Sequence, residues 1–343
     1  MNTLKKVTVI IPCRNEEQNI EKCIESIYNS DFDKAKLEVI IADGVSTDNT
    51  LSIINKLSKK YPELIVIENK KQITPVAFNI GLKYGTGEYL VTIGSRHFIS
   101  QDYISKCVNI LDTNQDIACV GGVSLCIEST TKGKIIANAM SNSFGVGGGN
   151  FRSQKTSGYV DTVGAPMYRK SVLEKIGYFD ESLVRNQDDE LSYRISKNGF
   201  KIFQSNEISV EYVTRSDFSK LFMQLFQYGY WKVLVNKKHK TITTFRQIIP
   251  PIFVVYLISA LAILILNISN GYLVLIYLLP LIVYFIMALI VTVKDKLKIS
   301  EIVLTIYCFI IMHISYGYGY LMGVVYFMIL NRKPGFNVKK LTR

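Results

Sequence analysis

The sequence predicts an α/β domain on a mixed, mainly parallel sheet, followed by C-terminal transmembrane helices. Two patterns carry this expectation. Short apolar runs alternate with segments of helical period over the first 215 or so residues, and long uncharged apolar segments follow Ile248. Strands alternating with single helices need crossover connections and hence parallel pairing. An apolar run of about 20 residues is long enough to cross a hydrocarbon core of ~30 Å.

In order, VTVIIP (7–12) reads as a buried strand, and residues 15–28 as a helix with Ile20, Cys23, Ile24 and Ile27 on one face. LEVIIAD (37–43) is a second strand, and 50–61 a second helix carrying Leu51, Ile54 and Leu57. LIVIEN (64–69) is a third strand, 74–84 a third helix, and EYLVTIG (88–94) a fourth strand. Sheets of this kind bind ligands beyond the carboxyl ends of their strands. Pro12, Asp43 and Gly94 all stand at such ends and should converge on one cleft.

Segments 248–268 and 272–293 hold no charged side chain, with the turn 267–271 between them, and 302–330 is a third apolar stretch interrupted by HISYGYGYLMG (313–323). The formal charge is +12; from Lys232 onward 13 Lys/Arg stand against Asp295 and Glu301, a net +11 that leaves +1 for the first 231 residues. The positive charge therefore flanks the apolar segments, as in cytoplasmic loops of membrane proteins. No compact basic domain remains, which argues against a nucleic-acid partner. Lys232, Lys237, Lys238, Lys240 and Arg246 before the first span, and Lys294, Lys296 and Lys298 after the second, place both flanks in the cytoplasm. A single crossing by 302–330 would put the basic tail 331–343 (Arg332, Lys333, Lys339, Lys340, Arg343) outside, so a re-entrant or interfacial course is favoured. Residues 216–247 form an amphipathic, basic interface segment, in which Phe218, Leu221, Phe222, Leu225 and Phe226 suit a membrane-surface face or core packing equally.

The opening Met1–Lys6 is polar, and Val7–Ile11 is too short for a signal-peptide core. The domain 1–215 is thus expected on the cytoplasmic side of the cell membrane, within a multi-pass protein. Six scattered cysteines without a C-x-x-C read as reduced, packed thiols rather than metal ligands. A transporter is disfavoured, because the first two spans lack ionisable residues.

Three stretches carry chemistry. NQDDELSYRI (186–195) sets Asp188, Asp189 and Glu190 at the start of a helix. The helix dipole favours acids there, yet one carboxylate pointing into the cleft would serve as a general base. In IADGVSTDNT (41–50) capping accounts for Ser46 or Asp48 but not for Asp43 at the strand end. In LVTIGSRHFI (90–99) a cationic pair, Arg96 and His97, follows Gly94-Ser95 directly.

Four blocks then resemble family 2 glycosyltransferases of the GT-A fold, in the right order over residues 5 to about 240. They are VTVIIPCRNEEQNIEKCIESI, VIIADGVSTDNT, ITPVAFNIGLKYGTGEYLV and VDTVGAPMYRKSVLEKIGYFDESLVRNQDDELSYRI. Within the family the chain is most similar to membrane-bound exopolysaccharide enzymes of the succinoglycan glucosyltransferase type. The resemblance implies inverting transfer from a nucleotide sugar, expected to be a UDP-sugar, to a lipid-linked glycan in cell-surface or exopolysaccharide synthesis. It gives Asp43 the uracil ring, and Pro12, Arg14 and Glu16 the loop framing the nucleotide. It makes Asp188 the general base, with Gln187 in place of the motif's glutamate, and Asp189 and Glu190 raising its proton affinity on the acceptor side. QYGYW (227–231) resembles the Gln-x-x-Arg-Trp motif of processive synthases, which would bring Gln227 and Trp231 to the acceptor. Tyr230 stands at the arginine position, which argues against processive synthesis; Trp231 suits acceptor stacking or an interface anchor.

The departure lies in GSRH. The family holds Mg2+ or Mn2+ on the donor diphosphate through an aspartate ending the fourth strand, and Gly94 occupies that position. Three readings stay open: Arg96, with His97, replaces the metal's charge; other ligands hold the metal; or the chain is a silent scaffold homologue. A surface pair with an acid such as Asp102 is the structural reading of Arg96. A polyprenyl phosphate is the alternative acceptor.

Overall fold

The computed structural model describes residues 5–128, 130–147, 157–266, 271–294 and 298–334. The chain divides into two compact units, Met1–Leu125 with Asn150–Val213, and Cys126–Gly149 with Thr214–Arg343.

In the first unit, β1 (Val7–Cys13) pairs in parallel with β2 (Leu37–Asp43) and β4 (Tyr89–Thr92), and β2 with β3 (Leu64–Glu68). β1 and β2 are buried almost throughout, which is why both read as unbroken apolar runs. Helices α1 (Ile20–Tyr28), α2 (Thr50–Lys60) and α3 (Thr74–Tyr84) make the crossovers; α1 buries Ile20, Cys23, Ile24 and Ile27 as its spacing predicts, and α2 buries Ile54 and Leu57 with Thr50, while Leu51 is half-buried. The chain continues through β5 (His97–Ile99), α4 (Tyr103–Thr113) and β6 (Ile117–Ile127) into α5 (Thr131–Ser141) and α6 (Ser143–Val146) of the second unit. It returns with β7 (Gly158–Tyr159), β8 (Gly164–Arg169), α7 (Lys170–Ile176), α8 (Gln187–Lys197) and β9 (Lys201–Val213). The resulting mixed sheet has the order β3-β2-β1-β4-β8-β6-β9-β5, with β7 paired to β9. The pairings β4–β8, β6–β8, β5–β9 and β7–β9 are antiparallel.

Three local expectations are corrected. The first helix begins at Ile20 rather than residue 15, because Asn15 takes φ +50° and turns the chain out of register. The fourth strand stops at Thr92, and a tight turn from His97 N to Gly94 O (2.9 Å) feeds the short β5 instead. Arg96 does not pair with Asp102, whose carboxylate takes Ser100 Oγ (2.9 Å) and Lys106 Nζ (2.7 Å).

The second unit holds α9 (Phe218–His239), α10 (Ile249–Ile265), α11 (Gly271–Val293) and α12 (Ile299–Gly323), the last extended by a π-helical turn over Val324–Ile329. Stretches Phe245–Ile263, Val274–Val293 and Ile299–Ile329 are long and apolar enough to cross a membrane. The favoured re-entrant course is corrected: Ile299–Ile329 is continuous through its glycines. Its 31 residues extend about 46 Å at 1.5 Å per residue. Those glycines serve packing. A Cβ at Gly319 would overlap the Phe226 carbonyl, one at Gly229 the Tyr316 carbonyl, and one at Gly323 would lie 2.7 Å from Tyr230 O. Small residues let helix backbones approach closely, which is the packing mode of membrane bundles. The stripe on α9 joins this packing, with Leu221 buried and Phe218 and Phe226 in ring contact with Tyr307 and Tyr318. The turn at 267–270, Lys296 and residues 335–343, which include Lys339, Lys340 and Arg343, lie outside the described residues.

Gly319→Ala is expected to cost at least ~3 kcal/mol, the upper end of overpacking, because the obstacle is backbone and not a movable side chain. Gly271→Ala, where a Cβ meets nothing within 4 Å, should leave stability unchanged or raise it. Thermal unfolding of both variants in detergent checks the contrast.

Candidate functional site

The parallel register decides what comes together. Cys13 lies level with Asp43, and Ile10 with Thr92, so the loops leaving β1, β2 and β4 emerge side by side. Asp43 is only 3% exposed. Its Oδ2 accepts from Ser46 N (2.9 Å) and its Oδ1 from Ser46 Oγ (2.5 Å), closing an Asx-type turn around Val45. Val45 takes φ +59°, an unfavourable conformation for a β-branched residue that surrounding bonds must hold. Ser46 Oγ also accepts from Asn15 N (3.0 Å), Asn15 Oδ1 from Thr47 N (2.8 Å), and Thr50 Oγ1 from Glu16 N (2.8 Å). The loops after β1 and β2 are thereby laced together by their side chains. Ser46 was read above only as a cap and Asn15 not at all; their role depends on two loops meeting.

On this edge Pro12 and Arg14 are half-buried. Arg14 Nε is shielded from solvent without a partner among the described residues, and the Arg14 stem lies 3.2 Å from where a Cβ on Gly44 would be. Arg96 directs Nε at both oxygens of Glu16, each at 2.9 Å, and Asn19 Nδ2 holds the same carboxylate at 3.2 Å. The Arg96 backbone is pinned by Val213 N donating to its carbonyl (3.0 Å). Thus the sequence-derived residues Asp43, Arg14, Glu16 and Arg96 share one edge. Burial first, then the charges of Asp43 and Glu16, push the Cys13 thiol well above its ordinary range, which marks the convergence of these acids.

His97 is turned elsewhere. Its ring stacks on Tyr212 (centroids 4.8 Å apart) and its Nδ1 lies 3.2 Å from Gly94 O. A Cβ at Gly94 would come within 2.9 Å of that ring, so the imidazole fills the space an aspartate side chain would need. Among the described residues no group of three or more His, Cys, Asp or Glu side chains is arranged to hold a metal ion. The residues at this strand end therefore do not fit the divalent ion that the family resemblance implies.

The acidic cluster opens α8. Its N-cap Asn186 is left-handed (φ +60°), and Asp188, Asp189 and Glu190 form the first turn. Asp188 is reached by solvent, yet the protein mass around it limits hydration. That desolvation first, and the charge of Asp189 second, raise its pKa above the ordinary aspartate value, against hydrogen bonds from backbone N–H groups. Burial first, and the charge of Asp188 among lesser causes, raise the pKa of Tyr168 on β8, against a hydrogen bond to Thr92 of β4, two residues before Gly94. Nothing in the sequence singled out Tyr168, an aromatic residue in an apolar strand. Gln187 is buried, with Oε1 lacking a partner among the described residues.

Three expected acceptor-side residues take other roles. Glu190 is buried and bonded in bidentate fashion to Arg194 (2.7 and 2.8 Å), which also donates to the carbonyls of Ile176, Gly177 and Tyr178. It anchors α8 rather than facing an acceptor. Trp231 in the second unit is fully buried against Tyr230 and Phe327, so neither acceptor stacking nor an interface anchor describes it here. Gln227 is likewise buried. Both belong to the packed core of the helical unit, where apolar helix faces outweigh the motif's expectation.

Residues 8–177 match the model of the family described as glycosyl transferase family 2. A Methanococcus voltae protein, dolichyl N-acetyl-alpha-D-glucosaminyl phosphate 3-beta-D-2,3-diacetamido-2,3-dideoxy-beta-D-glucuronosyltransferase, is 32% identical over 68% of this chain and 74% of its own. Succinoglycan biosynthesis protein ExoA of Rhizobium meliloti is 30% identical over 71% of this chain and 73% of its own. Among solved structures, a mannosyltransferase from Pyrobaculum calidifontis in complex with GDP-Man and Mn2+ shares the fold, with TM-score 0.63 and 16% identity over 94% of this chain and 88% of that one. The chain carries apolar helices able to span a membrane, and it is a glycosyltransferase belonging to glycosyl transferase family 2.

Proposed function

We propose that this glycosyltransferase moves a sugar, with inversion, from a UDP-sugar to a hydroxyl of a lipid-linked glycan on the cytoplasmic side of the cell membrane. The observation that carries the reading is Asp188, a solvent-reachable carboxylate of raised proton affinity at a helix start, whose charge reaches Tyr168 on β8, the strand paired with β4. Both named relatives support it: one acts on a dolichyl-phosphate-linked sugar, and the other works in succinoglycan biosynthesis.

In this reading Asp43 receives the base of the nucleotide, while Pro12, Arg14 and Glu16 frame it. Each Asp43 oxygen takes one bond from Ser46 and keeps capacity for another. Asp188 takes the proton of the acceptor hydroxyl as its oxygen attacks the anomeric carbon. The bond from that carbon to the diphosphate breaks, and its electron pair leaves with the nucleoside diphosphate. Gln187 and Asp189 lie beside the base on the acceptor side; Glu190 contributes by fixing α8. The domain reading gives 1–215 to catalysis and 248–330 to the membrane, with the 216–247 segment between them, the 331–343 tail cytoplasmic, and the excursion 126–149 assigned to the helical unit.

The full chain in nanodiscs should release UDP from a UDP-sugar only when a polyprenyl-diphosphate-linked sugar is added. Equal transfer to a bare polyprenyl phosphate would overturn the hydroxyl acceptor, and no turnover of any nucleotide sugar would overturn the donor assignment. Asp188→Asn should lower kcat by about 10²- to 10⁴-fold, the usual worth of a general base. The base works deprotonated, so a raised pKa places the acidic limb of kcat/KM above the ordinary aspartate range. Asp189→Asn removes a repulsive charge and should move that limb to lower pH; a limb that stays put or rises counts against the assignment.

A further inference from the structure

We infer that Arg96, oriented by Glu16, holds the donor's diphosphate in place of a divalent metal, so that this chain engages its nucleotide without one. The inference rests on the nucleotide-sugar reading above. At the family's metal position the side-chain space belongs to the His97 ring, which is held by its stack on Tyr212 and lies near Gly94 O. A carboxylate cannot enter without displacing it. Glycine is what allows the imidazole to sit there.

Beside it stands a cation set up for an anion. Arg96 spends only Nε on Glu16, and neither Nη group has a partner among the described residues. The side chain is 27% exposed, while its partner Glu16 is 16% exposed. Glu16 is itself fixed by Asn19 and by the bond from its N–H to Thr50. The guanidinium is thus locked through one edge and presents the other, with four N–H donors, to solvent. That edge matches two oxygens of a phosphate, which a lysine or a hydrated ion would not match in the same planar way. Glu16 neutralises one positive charge, and Arg14 at the end of neighbouring β1 supplies another. A departing nucleoside diphosphate needs fixed positive charge near its oxygens, and pre-oriented donors provide it without reorganisation.

Calorimetry of UDP and UMP binding to the full chain in nanodiscs tests this apart from turnover. UDP affinity should be the same in excess EDTA and in Mn2+. Arg96→Ala should weaken UDP by about 10- to 100-fold, the range for losing charge-assisted hydrogen bonds, and UMP by less than about twofold. Arg96→Lys should recover part of the loss, and unchanged thermal unfolding of both variants confirms that the fold survives. UDP binding that vanishes in EDTA and returns with Mn2+ overturns the inference, as does an Arg96→Ala chain with wild-type UDP affinity. If the wild-type chain binds neither UDP nor GDP, the donor reading itself fails and this inference falls with it.

Discussion

The position of β1 between β2 and β4 is the constraint from which the rest follows. A strand buried on both faces must place every backbone N–H and C=O in a ladder, so its register with each neighbour is fixed. That register sets Cys13 against Asp43 and Ile10 against Thr92. The loops after β1 and β2 then leave the sheet at one level, and the chain leaves β4 beside β1 three residues earlier. The lacing of Asn15, Ser46 and Thr50, and the pair between Glu16 and Arg96, join loops that are 31 to 80 residues apart in sequence. Strain collects at the same edge, where Asn15 and Val45 are left-handed, and residues held in costly conformations mark places whose geometry is over-determined by their surroundings.

Charge balance is the second theme. Asp43, Glu16 and Asp48 all act on Cys13, so the edge is acidic before any anion arrives. A partly exposed arginine paired with one acid contributes little to stability, which makes a purely structural account of Arg96 weak. Its value lies in orientation: a half-buried pair through Nε restricts the guanidinium and leaves the remaining donors directed outward. Glu190 and Arg194 show the opposite arrangement, with the fork saturated by a carboxylate and three carbonyls, as suits a residue that ties a helix in place. The two arginines differ in how much of the fork the protein itself occupies: Arg194 is filled, and Arg96 is held through Nε alone.

Much of this was legible in the sequence, and the remainder was not for physical reasons. Continuous apolar runs revealed β1, β2 and β4, and period-3.6 spacing revealed α1, α2 and α3, because those signals come from burial of one element against its neighbours. The carboxyl-end rule brought Pro12, Asp43 and Gly94 together before any coordinates, and the family resemblance added Arg14 and Glu16 to that edge. The antiparallel strands β5 to β9 were unreadable, since their pairing depends on which distant chain meets them. The grouping of 126–149 with the helical unit is likewise a contact property that no composition shift announces. The glycines of 313–323 suggested a break because glycine lowers helix propensity, but in a helical bundle close backbone approach outweighs that cost. Trp231 and Gln227 matched a motif by spacing, and burial by neighbouring helices decided their placement instead.

The most direct test of the central claim, that the edge formed by β1, β2 and β4 is the donor site, is an experimental structure of the chain with UDP bound in the presence of Mn2+. The account predicts the uracil at Asp43 and the β-phosphate on the Nη groups of Arg96, with no ion between phosphate and protein. Nucleotide density elsewhere, or a metal bridging the diphosphate to carboxylates, would contradict it.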